Sequence, residues 1–246
     1  MTSSTLLLYM EQQAVLEGEA AVLEVVPDFK DGMAAVVLGR TLFYPQGGGQ
    51  PFDQGWIKGE AGRFQVEEVR FQGGIVHHLG RPAARPFQAG DAVTLQVDGE
   101  RRRLHSRLHT AGHLIDEAVW NLGLGWQPAK GVHAPGQSAV EYRADAVPAP
   151  DAAALIEAEL NRLIRHGFPT RTELVSREEL PKRARFVPDN LPLDKPVRLV
   201  TVWDERGLPC GGTHVADIRE VGPVIIRYVK ARKNMVKVAY ELEAGT

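Results

Sequence analysis

The sequence predicts an α+β protein in two parts. Residues 1–98 are expected to form a small antiparallel β-barrel, and residues 99–246 an α+β domain with helices packed on an antiparallel sheet. Three observations carry this. Short valine-rich and aromatic runs, cut by glycine, proline and aspartate turns, fill the first part with little helical period among them. Past Asp98 the apolar residues return every three or four positions, the period of a helix with one buried face. Near the C-terminus two more valine-rich runs flank Lys233-Asn234, the pattern of a hairpin.

Taken in order, residues 20–26, 34–38, 64–70, 75–79 and 92–97 read as strands. So little helix lies between them that a parallel sheet would lack its crossovers, which leaves a barrel or a sandwich. Leu104, Leu108, Ala111, Ile115, Val119 and Leu122 then form one stripe along a helix closed by Gly123 and Gly125. His105, His109 and His113 line up beside that stripe, at the edge of the face it buries. A strand is expected at 138–142 and a second helix at 151–165, with Asp151 near its positive end. Strands follow at 170–175 and 197–203. A short helix at 177–185 must hold Pro181 in its first turn, and a proline-broken segment runs over 188–196. The hairpin is expected over 224–229 and 235–242.

The bulk numbers exclude several classes. At 246 residues and 43% hydrophobic, the chain can bury a core, and its single cysteine excludes an intrachain disulfide framework. No run approaches the 18 or so apolar residues of a membrane span, and no secretory leader is read at the N-terminus. The expectation is a soluble cytoplasmic protein with no membrane partner and no obligate protein partner. A formal charge of -2 does not by itself advertise nucleic acid. Two local clusters do run the other way: Arg227, Lys230, Arg232, Lys233 and Lys237 without an intervening acid, and Arg101 to Arg103 with Arg107.

The chemistry-bearing residues sit on two distant segments. His109 and His113 stand four apart on the expected helix, so both rings project to one side. About a hundred residues later the only cysteine opens Cys210-Gly-Gly-Thr-His214, again four apart. Two imidazoles, a thiolate and a third imidazole make a complete tetrahedral set for one zinc ion per chain. Histidine pairs of this spacing also occur as packing residues, and Cys210 alone also reads as a buried inert thiol. In metalloproteases with two histidines at this spacing, the position after the first holds a glutamate base; here it is Thr110, which removes that reading. Four protein ligands leave open whether the ion is catalytic, positions a substrate, or is structural.

A glycine-rich stretch, Phe43-Tyr-Pro-Gln-Gly-Gly-Gly-Gln50-Pro, precedes the helix. It lacks the lysine and hydroxyl of a phosphate-binding loop and the helix start of a dinucleotide fingerprint. Gly47, Gly48 and Gly49 would let backbone approach a ligand, with the Gln50 amide and the Thr41 hydroxyl beside it. A plain hairpin loop fits the same residues.

Together, Leu-His109-Thr-Ala-Gly-His113-Leu-Ile, the glycine stretch and Cys210-Gly-Gly-Thr-His214-Val resemble the editing domain of alanyl-tRNA synthetase. The chain as a whole, over about residues 5 to 242, resembles the freestanding alanyl-tRNA editing proteins of the AlaX family, in their medium-length class. A threonyl-tRNA editing domain shares the ligand spacing, but the glycine stretch and the Cys-Gly-Gly-Thr-His form look like the alanyl branch. The resemblance implies hydrolysis of the ester that joins a mischarged serine, or glycine, to the acceptor end of tRNA(Ala). It implies zinc on His109, His113, Cys210 and His214, with Thr41 and Gln50 as catalytic pocket residues. Gly47, Gly48, Gly49, Arg232 and Lys233 are then expected to bind substrate. A zinc-stabilised tRNA-binding module without catalysis, and editing of Ser-tRNA(Thr), remain as other readings.

Overall fold

The computed structural model describes residues 4–81, 85–145, 147–188, 191 and 196–243. Contacts divide it into two compact units. The first holds residues 1–47 and 51–104, the second residues 48–50 and 105–246, so the division falls inside the first helix and inside the glycine-rich loop.

The first unit is built from β1 (Leu6–Leu7), β2 (Glu17–Lys30), β3 (Met33–Leu38), β4 (Arg40–Thr41), β5 (Gly55–Gly59), β6 (Gly62–Val66), β7 (Glu68–Gln72), β8 (Ile75–Gly80) and β9 (Ala92–Val97). Seven of them pair in the order β6-β5-β9-β2-β3-β8-β7, all antiparallel, while β1 and β4 form a small parallel pair. Strand β9 alternates as a half-buried strand should, with Val93, Leu95 and Val97 inward, whereas β3, an interior strand, is buried on both faces. The long β2 serves two ladders: Glu17 to Ala21 pair with β9, and Val22 onward with β3 through two register shifts that bend the strand.

The barrel expected for residues 1–98 does not form. Strands β6 and β7 end the order on opposite sides, and no ladder joins them among the described residues, so the sheet is open. The single residue between them, Glu67, gives its N–H to Leu79 O at 2.8 Å and receives the Gln54 amide on its carbonyl at 2.9 Å. At the point where closure would begin, the backbone groups are already taken. Alternating short strands read alike in barrels and open sheets, because closure depends on which edges meet.

Helix α1 (Gly99–Asn121), which belongs to the second unit from His105 on, begins with the Asp98 carboxylate accepting the Arg101 N–H at 3.0 Å. It ends in a Schellman turn: Gly123, at φ 65°, donates to Trp120 O, and Leu124 donates to Val119 O. Then come β10 (Gln127–Val132), β11 (Ala139–Arg143), α2 (Ala152–His166), β12 (Arg171–Val175), α3 (Leu180–Arg183, with Pro181 in its first turn), β13 (Val197–Thr201), β14 (Leu208–Pro209), β15 (Val224–Arg232) and β16 (Met235–Leu242). A four-stranded sheet runs β10-β11-β16-β15 and a three-stranded one β12-β13-β14. Leu114 and Ile115 of α1, Ile156 and Leu160 of α2, and Tyr142 and Val238 of the larger sheet share one core. Leu104 departs from the expected stripe and is exposed. Most of the expected segment 188–196 lies outside the described residues.

Candidate metal centre

Helix α1 carries His109 and His113 one turn apart, and both are buried. The chain leaving β14 brings Cys210 and His214 to them. Cys210 extends the ladder by donating its N–H to Arg198 O at 3.0 Å, and the Arg198 guanidinium donates to Cys210 O at 2.8 Å and Gly212 O at 2.9 Å. A buried arginine in β13 thus shapes the turn that presents the thiol. One ligand atom from each of His109, His113, Cys210 and His214 lies within 4.8 Å of the others. Cys210 Sγ is 3.5 Å from His109 Nε2 and 3.4 Å from His214 Nε2. Zinc bonds of 2.0–2.3 Å arranged tetrahedrally would put donor atoms about 3.3–3.8 Å apart, so these two separations fit without rearrangement.

The hydrogen-bond partners fix which nitrogen each ring turns inward. Gln50 Oε1 accepts the Thr213 N–H at 3.0 Å, so it is the amide oxygen that stands 2.8 Å from His109 Nδ1 and accepts that ring's proton. Thr110 donates its hydroxyl proton to Ser106 O at 2.8 Å, so its oxygen accepts from His214 Nδ1 at 3.1 Å and from the Val215 N–H at 3.3 Å. Nε2 of both rings is then the bare nitrogen facing Cys210. Thr110, standing where a peptidase would carry its base, holds the His214 ring instead. His113 Nδ1 is buried with no hydrogen-bond partner.

Burial dominates the electrostatics. It drives His113 to about 4 and His109 and His214 well below the usual imidazole value, helped by the neighbouring rings and Arg198. It also pushes the Cys210 thiol up. Three neutral rings with lone pairs, a thiol and a buried nitrogen lacking a partner suit a cation such as zinc, which would be held by these four residues.

Two glycines make the close packing possible. A Cβ on Gly212 would lie 2.1 Å from His109 Cε1, while one on Gly211 would meet nothing within 4 Å. A Cβ on Gly112 would lie 2.4 Å from His133 Cε1. His133 uses that space to stack on His109 at 4.3 Å and 18°. Its Nδ1 donates to Tyr240 Oη at 2.7 Å, since Tyr240 gives its own proton to Leu108 O at 2.9 Å.

The other expected site residues fall in several places. Gln50 is buried in the second unit; beyond His109 it donates Nε2 to Thr213 Oγ1 at 2.9 Å, and Thr213 Oγ1 is 2.8 Å from Ser106 Oγ. Gly49, at φ 78°, approaches the Gly131 backbone so closely that a Cβ would be 2.2 Å from its carbonyl oxygen, and its own carbonyl accepts the His133 N–H. Gly48 is also left-handed, and Gly47 belongs to the first unit, where its carbonyl accepts from Tyr44 Oη. Thr41, also in the first unit, is fully buried beside His78. Arg232 and Lys233 are exposed at the tip of the β15–β16 hairpin. The second cationic cluster largely dissolves. Arg102 is buried against Asp53 and donates to Gln13 O and Leu42 O, Arg101 donates to Phe52 O, and Arg107 donates to Val221 O. Sequence reading missed Ser106, Thr213, Arg198 and Tyr240. Arg198 alone left a trace, as a charge amid Val197, Leu199 and Val200.

With that geometry in place, residues 4–101 match the family of class II (A) tRNA synthetases. The chain is related to these synthetases and to AlaX-type editing sequences. It is 35% identical over 220 residues to an alanine–tRNA ligase of Methanoculleus marisnigri, covering 88% of this chain and 23% of the ligase. It is 32% identical over 243 residues to that of Methanoregula boonei, covering 97% of this chain and 25% of the ligase. It is 29% identical over 240 residues to the alanyl-tRNA editing protein AlaX-L of Pyrococcus horikoshii, covering 95% of this chain and 57% of that protein. The chain therefore spans about a quarter of the ligases' length and just over half of the editing protein's.

Proposed function

We propose that the chain is a trans-editing hydrolase, working in the cytoplasm, that releases serine, and glycine as a second amino acid, from mischarged tRNA(Ala). The observation that carries this reading is the buried quartet of His109, His113, Cys210 and His214, whose donor atoms lie within 4.8 Å of one another. Its relatives, alanine–tRNA ligases and an alanyl-tRNA editing protein, support the substrate class. A zinc ion on the quartet would polarise the ester carbonyl or hold the aminoacyl end in register with water.

The chain's own residues then divide the work. Gln50 acts as a positioning residue, because its amide oxygen fixes the ring plane of His109. Thr41 is the specificity residue of the proposal. His78 donates Nδ1–H to Val36 O at 2.8 Å, so its bare Nε2 accepts the Thr41 proton at 2.8 Å, and the threonine oxygen, which accepts the Phe43 N–H at 3.0 Å, keeps one lone pair for a further donor. A serine hydroxyl supplies a donor for that remaining lone pair and alanine does not. Gly47, Gly48 and Gly49 let backbone approach the aminoacyl end, and Arg232 and Lys233 contact RNA.

The decisive assay offers the purified protein Ser-tRNA(Ala), Ala-tRNA(Ala) and Ser-tRNA(Thr). Serine release from tRNA(Ala) above the protein-free rate, with Ala-tRNA(Ala) spared, is the expected result. No release from any of the three sinks the hydrolase reading and favours a zinc-stabilised tRNA-binding module, a reading that a complete four-donor set also supports. Preference for Ser-tRNA(Thr) would reassign the substrate.

A further inference from the structure

The strand register of the second unit gathers cations that are scattered in sequence. Lys130, Glu141, Lys237 and Lys230 stand opposite one another across β10, β11, β16 and β15, and so form one row on one face. Two residues along, Arg143, Met235 and Arg232 form the next row on that face. Alternate residues on these strands, Val140, Tyr142, Val236 and Val238, are buried in the core, so the rows face outward. Five cations and one acid thus occupy a patch about 14 Å across, on a molecule whose formal charge is -2. Among the described residues no carboxylate lies within salt-bridge distance of any of the five, whereas the nearby Arg227 is paired with Glu241 at 3.4 Å.

We infer that this outer face of the four-stranded sheet docks the phosphate backbone of double-helical RNA. Unpaired cations in rows match a line of phosphates. Base stacking is disfavoured, because the aromatic ring beside the rows, Tyr228, is covered by the Lys230 ammonium at 4.6 Å. A lipid surface is disfavoured because Met235 is the only apolar side chain in the two rows and is itself half-buried. The surface differs from the linear basic run: it adds Lys130 and Arg143 and leaves out Arg227 and Lys233. That the RNA is a tRNA rests on the proposed function; that the face binds a duplex does not.

The test uses the full chain with a labelled RNA duplex, the matching single strand, and vesicles containing anionic phosphatidylserine, each over a salt series. The variants are Lys230→Gln/Arg232→Gln/Lys237→Gln together, Lys130→Gln/Arg143→Gln together, and Lys182→Gln as an exposed control. Duplex binding should weaken at least tenfold in the triple variant. Its salt slope should fall by about 0.9 for each phosphate contact removed, and the control should match the parent. An unchanged affinity and slope, equal binding of the single strand, or preference for the vesicles would each overturn the inference. Serine release from full tRNA should fall through KM in the triple variant, with release from a minimal seryl-adenosine ester unchanged. Intact duplex binding without any serine release would sink the hydrolase reading alone.

Discussion

Two buried imidazoles, one in each unit, begin alike and end differently. His78 gives its Nδ1–H to Val36 O, takes the Thr41 proton on Nε2, and is driven by burial to about 4. His109 gives its Nδ1–H to Gln50 and is likewise held neutral by burial, but its Nε2 faces the Cys210 sulfur and its ring packs against three more. Every nitrogen of His78 has a protein partner of the right kind. Around His109, lone pairs point at lone pairs, and one thiol proton serves only one of them. A buried polar histidine is therefore no signal by itself. A set of four ligand atoms converging within 4.8 Å of one another is one, and a cation is the group that suits it.

The largest expected break in that contrast comes from Cys210→Ala. It should take zinc from one per chain to a trace by elemental analysis and lower serine release by more than about 100-fold. His78→Gln should keep its zinc. Full zinc occupancy in Cys210→Ala would refute the ligand assignment. Next in size is a pair of neighbours. Gly212→Ala drives a methyl into the His109 ring and should weaken zinc affinity by about 10–100-fold, while Gly211→Ala, with open space beside it, should leave affinity unchanged. Equal affinities in a competition with a chelator would show that His109 can give way.

The contrast also separates what the sequence makes legible from what it hides. Ligand spacing is local: His109 and His113 share a helix face because they are four apart, and the stripe from Leu108 to Val119 and the stop at Gly123 are properties of that one segment. Partner choice is not local. Arg101 and Arg102 read as a solvated cluster, yet one caps Phe52 O and the other is buried on Asp53. The open edge at β6 and β7 has the same alternation as a closed one. Strand β10 contains Pro128, Lys130 and Gly131, a composition of loops, and is a strand because β11 pairs with it across a bulge. The line of histidines expected beside the apolar stripe is itself buried, and Gly212 of the turn after β14 lies against the His109 ring.

Smaller effects come from the hydroxyls behind the rings. Thr110→Val removes the acceptor of His214 Nδ1–H and of the Val215 N–H, and should cost about tenfold in zinc affinity with little change in shape. Thr41→Val is its counterpart at His78. It should leave zinc affinity unchanged and instead narrow the ratio of serine to alanine release. If Thr41→Val lost zinc, or kept full discrimination, its proposed role in the first unit would fall.

The smallest effect concerns a third kind of buried group, one that is partnered but still strained by burial. Asp116 accepts the Tyr142 hydroxyl proton at 2.6 Å, yet desolvation raises its carboxyl to about 7, the tyrosine bond offsetting only part. Its folded-state value lies above the unfolded one, so the folded chain binds the proton more tightly. The resulting stabilisation is complete below about pH 4 and is lost as pH rises through about 7. Between pH 6 and pH 7 the loss should be about 1 kcal/mol. Asp116→Asn keeps an acceptor for Tyr142 and removes the titration. Denaturant midpoints of the zinc-loaded protein should therefore fall from pH 6 to pH 7 in the parent and stay flatter in the variant. Parallel slopes in the two would mean that Asp116 is already ionised at pH 6, and that the strain of burial has been relieved by another route.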